Sequence, residues 1–81
     1  MVVITYDISD EKRLQKVAKY LESEGIRVQR SVFELDISVR KANKIFNGIK
    51  ELIDESEDKV FMFSFKDKDD VIGETSIERI F

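Results

Sequence analysis

Cysteine, histidine, proline and tryptophan are all absent from this chain. Without cysteine there is no disulfide, no thiolate nucleophile and no cysteine zinc site. Without histidine, Ser-His-Asp chemistry, imidazole general bases and histidine-ligated metals are excluded. Any general base must then be a carboxylate, a lysine or hydroxide held by a metal. No apolar run reaches the ~18 residues of a membrane span, and no basic stretch leads into the apolar N-terminus. The expectation is therefore a cytoplasmic protein with neither signal peptide nor membrane contact. Length is scarce as well. The 81 residues suffice for a single domain over 1–81, and a chain of this size buries only about 60% of its unfolded surface.

What is present is charge, unevenly spread. The net −3 argues at first against a polyanion partner. Residues 1–11 carry −3, residues 12–50 carry +6 from ten basic and four acidic side chains, and residues 51–81 carry −6. A basic middle and an acidic tail are hidden in a nearly neutral total.

The apolar pattern predicts the elements. Residues 2–7, VVITYD, read as a strand that is apolar on both faces. Ser9 or Asp10 caps a helix whose stripe is Leu14, Val17, Ala18 and Leu21. Gly25 stands where a helix C-cap glycine belongs. On that helix Lys12, Lys16 and Lys19 lie opposite the stripe and Arg13 on its flank. Residues 26–37 are extended and too long for one strand, so they divide into 26–30 and 32–37 with a bend near Arg30-Ser31. Ser38 caps a second helix with the stripe Ala42, Ile45, Phe46, Ile49, Leu52 and Ile53, interrupted by Gly48. An acidic turn over 55–58 leads into a strand at 59–66. There Phe61, Phe63 and Phe65 face one way and Val60, Met62 and Ser64 the other. A turn at 67–70, a break at Gly73 and a short tail strand complete the chain.

The order β-α-β-β-α-β is that of an α+β, ferredoxin-like fold. Two helices cover one face of such a sheet, yet the first and last strands are apolar on both. The second face calls for a second copy about a two-fold axis, and the tail strand for a partner's sheet edge.

Among the remaining chemical groups, Asp7 stands out because it ends an apolar strand. One reading is structural: it caps the next helix or ends the strand in water. The other is a ligand for Mg²⁺, with Mn²⁺ as the alternative, since hard cations take oxygen donors and keep several waters. One carboxylate is a poor site, but two across a dimer axis can bind a cation that activates water against a phosphodiester. Arg27 and Arg30 suit phosphate, or simply keep an edge strand soluble. Lys12, Lys16, Lys19, Arg40, Lys41 and Lys44 form solvated helix faces whose sum is the footprint of polyanion binding. Phe33 and the Phe61, Phe63 and Phe65 stripe are read as core or interface rather than base-stacking platforms.

These residues carry a resemblance. The stretch VVITYDISDEKRLQKVAKYLESEGIRVQRSVFE resembles the small CRISPR-associated adaptation proteins of the Cas-two family. The pieces are the strand ending YDIS-DEKR, then KVAKYLE, then RVQ and SVFE at matching spacing. Beyond residue 38 only the helix-then-strand pattern agrees. The resemblance implies a ferredoxin-like homodimer with its tail strand on the partner's sheet. It places Asp7 on the aspartate that binds a divalent metal in members reported as nucleases on single-stranded RNA or double-stranded DNA. Tyr6, Arg27, Ser31 and Phe33 fall on other positions associated with that site. Arg13, Lys16, Arg27 and Arg30 are the candidate nucleic-acid contacts by their own charge, although family members often carry more arginine in the first helix, where this chain has Leu14 and Gln15 between Arg13 and Lys16. It implies a second role too, in which the dimer bridges dimers of the Cas-one integrase and holds protospacer DNA for integration. The alternatives are thus a metal-dependent endonuclease and a non-catalytic scaffold. A small regulatory ferredoxin-fold dimer is a third, which the RVQ and SVFE blocks disfavour.

Overall fold

A computed structural model describes residues 1–65 and, as backbone, residues 75–80. The elements run β1 (Val2–Asp7), α1 (Glu11–Glu22), β2 (Ile26–Gln29), β3 (Val32–Leu35), α2 (Val39–Lys50), β4 (Lys59–Phe65) and β5 (Thr75–Ile80). The sheet order is β2-β3-β1-β4-β5, antiparallel throughout. Its first four strands have the split βαβ arrangement the pattern predicts. The expected turn at 67–70 and break at Gly73 lie outside the described residues.

Both helices form where the caps predict. Asp10, not Ser9, is the N-cap of α1, its side chain accepting from Arg13 N at 3.0 Å. Ser38 caps α2 by accepting from Lys41 N at 3.2 Å. The helix α2 stops at Lys50, so Leu52 and Ile53 follow it as loop residues that still pack against the core. The helices cover one sheet face. There Val2, Ile4, Tyr6, Phe33, Leu35, Val60 and Met62 meet Val17, Leu21, Ala42, Ile45, Phe46 and Ile49, all buried. Each fully buried Leu, Ile or Phe stabilises by about 1.5–3 kcal/mol, so this layer holds the fold.

Gly25 has a different reason from the one its position suggested. It is not left-handed, and the C-cap of α1 is Ser23. A Cβ at Gly25 would lie 2.5 Å from the Glu34 carbonyl oxygen and 2.8 Å from Leu35 Cγ. The glycine lets the chain leaving α1 pass close to β3.

The second sheet face is uncovered in the single chain. It carries Val3, Thr5, Val32, Phe61, Phe63 and Phe65, all half-buried, and Ile26, which is 70% exposed. The Phe61 and Phe63 rings stack at 6.4 Å. The strand β5 differs from the expectation that it joins a partner's sheet: here it pairs with β4 of its own chain, Phe61 opposite Ile80 and Phe65 opposite Thr75. The β4 edge would otherwise present unpaired N–H and C=O groups, and the tail is the nearest strand to satisfy them.

Candidate functional site

The ends of β1 and β4 and the β2–β3 turn bring the predicted residues to one end of the sheet, but on two faces. Alternation along β1 sends Tyr6 to the helix side and Asp7 to the open side. Tyr6 is 4% exposed, its ring stacked on Phe33 at 6.3 Å. Its hydroxyl donates to the Arg30 carbonyl at 3.3 Å, and its backbone N–H to the Ser31 carbonyl at 3.2 Å. Burial pushes the Tyr6 phenol above its ordinary pKa, and the Arg27 guanidinium pulls down without reversing this. Tyr6 is therefore a neutral donor at neutral pH.

Arg27 serves the same carbonyl. Its Nε and Nη2 donate to the Arg30 oxygen at 3.1 and 2.6 Å, and its Nη1 pairs with Glu22 at 3.4 Å. The guanidinium also lies 5.7 Å from the Phe33 ring centroid. Tyr6, Arg27, Ser31 and Phe33 thus form one cluster that fixes the β2–β3 turn. A bulge at Val28, between the paired Arg27 and Gln29, marks where the two strands part.

Asp7 is apart from this cluster. It faces solvent, opposite Lys59 in the β1–β4 register. Among the described residues its carboxylate makes no hydrogen bond or ion pair, and with Asp10 as N-cap it does not cap the helix. Of the predicted nucleic-acid cations, Lys16 and Arg30 are exposed and make no described side-chain bond. With Lys19 and Leu14, Arg30 lines a groove between α1 and β2.

Arg13 is already committed. Its Nε donates to Asp58 Oδ2 at 2.9 Å and its Nη2 to Asp58 Oδ1 at 3.3 Å and Glu57 at 3.1 Å. Asp58 has no exposed surface and also accepts from Asp54 N at 2.8 Å and Ser9 N at 3.2 Å. Burial alone would raise its carboxyl pKa, but the Arg13 hydrogen bond and the two backbone donors outweigh that and hold it below the ordinary range. The pattern of residues gave no sign of this. Glu55, Glu57 and Asp58 read as one acidic turn, and only the fold distinguishes the last.

The chain matches the family described as CRISPR associated protein Cas2 over residues 1–71. It is 40% identical over 58 residues to the CRISPR-associated endoribonuclease Cas2 3 of Chloroflexus aurantiacus, a match covering 72% of this chain and 62% of that protein. It is 36% identical over 74 residues to the CRISPR-associated endoribonuclease Cas2 of Thermococcus kodakarensis, covering 89% and 86%. The chain thus spans under two thirds of the Chloroflexus relative and most of the Thermococcus one. Among solved structures, Streptococcus pyogenes Cas2 superposes with a TM-score of 0.71 at 35% identity, covering 79% of this chain and 83% of that one. A hypothetical protein of Thermus thermophilus superposes at 0.77 with 31% identity, covering 95% of each.

Proposed function

This chain belongs to the CRISPR-associated Cas2 family, and on that premise we propose that it works as a two-fold dimer that binds nucleic acid and cuts RNA as a metal-dependent endoribonuclease. The observation that carries this reading is the Asp7 carboxylate, exposed and without a described partner at the end of β1, on the uncovered apolar face. A second copy on that face would remove Val3, Val32 and the phenylalanines from water and add a second Asp7 to the same interface.

The donor chemistry fits a hard cation. Within one chain no group of three or more His, Cys, Asp or Glu side chains stands ready to hold a metal, among the described residues. Mg²⁺ keeps several waters and is held by one or two carboxylates, so one Asp7 from each copy is a sufficient protein share. Mn²⁺ suits the same oxygens. When bound, the cation would supply an activated water and neutralise phosphate charge. The chain's own side chains do the rest. Arg30, exposed at the same end of the sheet, takes backbone phosphates. Tyr6, Arg27, Ser31 and Phe33 act by holding the β2–β3 turn, not by touching substrate.

The test is cleavage of end-labelled single-stranded RNA with Mg²⁺ by wild type and Asp7→Ala. Wild type should cut, and stop cutting in chelator. Asp7→Ala should be inactive with an unchanged dimer mass and circular dichroism. Equal cleavage by Asp7→Ala would remove the reading.

A second reading is favoured by Lys12, Lys16 and Lys19, all exposed on the helix layer while Asp7 lies on the opposite sheet face. A basic surface away from the carboxylate suits a scaffold that holds duplex DNA beside the Cas-one integrase. Spacer acquisition that survives Asp7→Ala, but not replacement of those lysines, would select this role.

A further inference from the structure

A carboxylate with no exposed surface needs a reason. Replacing a buried ion pair with apolar residues is often neutral or stabilising, so stability alone does not account for Asp58. Its partners suggest what does. They come from separate places in the chain: Arg13 from the first turn of α1, Ser9 from the β1–α1 loop and Asp54 from the α2–β4 loop. Arg13 Nη2 also reaches Ser9 Oγ at 3.3 Å, and Ser9 Oγ lies 3.5 Å from Glu57. Asp58 directly precedes Lys59, the residue opposite Asp7. Asp7 therefore lies between two fixed points, the β1–β4 ladder on one side and the clamped loop on the other. Its own side chain contributes to neither.

We infer that the Arg13–Asp58 clamp is a positioning device for Asp7. It ties the β1–α1 loop to the start of β4 and so fixes where and how Asp7 presents its carboxylate on the dimer face. The inference rests on the reading of Asp7 as a metal ligand. Groups hydrogen-bonded directly to a ligand change metal affinity by about 10- to 100-fold when removed; the clamp reaches Asp7 only through the backbone, so the lower end of that range is expected. Arg13 and Asp58 are accordingly positioning residues, remote from the cation itself, with Arg13 Nε and Nη2 engaged in the clamp.

Mn²⁺ serves as the probe, with free Mn²⁺ read by electron paramagnetic resonance in titrations of the full-length protein well below its melting temperature. Wild type, Asp7→Ala, Asp58→Asn and Arg13→Gln are compared, with dimer mass and circular dichroism recorded for each. Asp7→Ala should lose the site. Asp58→Asn should weaken Mn²⁺ binding about tenfold with the dimer intact. Arg13→Gln, at the solvent end of the clamp, should do the same and carries the test if Asp58→Asn unfolds. A merely structural clamp would lower the melting temperature and leave the affinity of the folded protein unchanged. Wild-type affinity in a folded clamp variant, with Asp7→Ala silent, would overturn the inference alone. Wild-type affinity in Asp7→Ala would overturn the metal reading and the inference together.

Discussion

Asp58 and the two helix-associated glycines show how much single residues carry in a chain this small. Asp58 meets four donors from three partner residues without touching water. Replacing it with asparagine keeps the shape but removes the charge and turns one acceptor oxygen into a donor that faces two N–H groups, which should cost about 2 kcal/mol at pH 7. The effect has a pH signature. The folded carboxyl titrates below the ordinary 3.8. Its contribution is complete above about pH 5 and is lost as pH falls through the lower folded value. Urea unfolding of wild type and Asp58→Asn at pH 7 and at pH 3 should show the gap narrowing in acid, and a gap of constant size would contradict the assignment. The glycines separate on what a methyl group would strike. At Gly25 it meets the β3 backbone, which cannot yield, and Gly25→Ala should lose about 2 kcal/mol. At Gly48 it meets the Tyr20 ring, 2.8 Å from Cζ. That ring can turn aside, and the gain in helix propensity of roughly 1 kcal/mol offsets the displacement. Denaturation midpoints should therefore fall much further for Gly25→Ala than for Gly48→Ala.

At the scale of elements, the strands and helices were legible because their apolar residues repeat at two or about 3.6 positions, and Ser38 and Asp10 mark helix starts by chemistry. The division of residues 26–37 was legible too, though without the reason for it. No glycine or asparagine makes that turn. It is made by the Val28 bulge and by the Arg30 carbonyl, which accepts from Tyr6 and twice from Arg27. Such a knot joins residues 24 positions apart, which local pattern does not show. The candidate site was half legible for the same reason. Its residues could be named, but not the sheet face each occupies, nor that Arg13 is bound to Asp58. The knot makes its own prediction. Arg27→Lys keeps the charge but loses the two-donor fork on one oxygen. Hydrogen exchange should then speed up at the Tyr6 amide, which bonds the Ser31 carbonyl, while the α2 amides stay protected. Unchanged exchange at Tyr6 would show that Arg27 does not hold the turn.

For the whole molecule, one chain weighs 9.5 kDa and leaves a phenylalanine-rich sheet face half covered, so the folded unit in solution should be a pair. Light scattering should give about twice the chain mass, and Phe63→Glu, which puts a charge at the centre of that face, should return it to the mass of one chain. The helix layer on the other side makes a separable prediction. Lys12, Lys16 and Lys19 are all exposed on α1. If they neutralise phosphates, each releases counterions and steepens the salt dependence, by about 0.7 in the slope of log K against log salt for a single strand. Changing all three to glutamine should lower that slope by roughly 2 for each protomer in contact. Because the same lysines face away from the apolar sheet, the variant should keep wild-type mass and melting temperature. An unchanged slope would mean that the basic middle of the chain is only a solvated surface, and that polyanions meet the protein through Arg30 and the groove beside β2 instead.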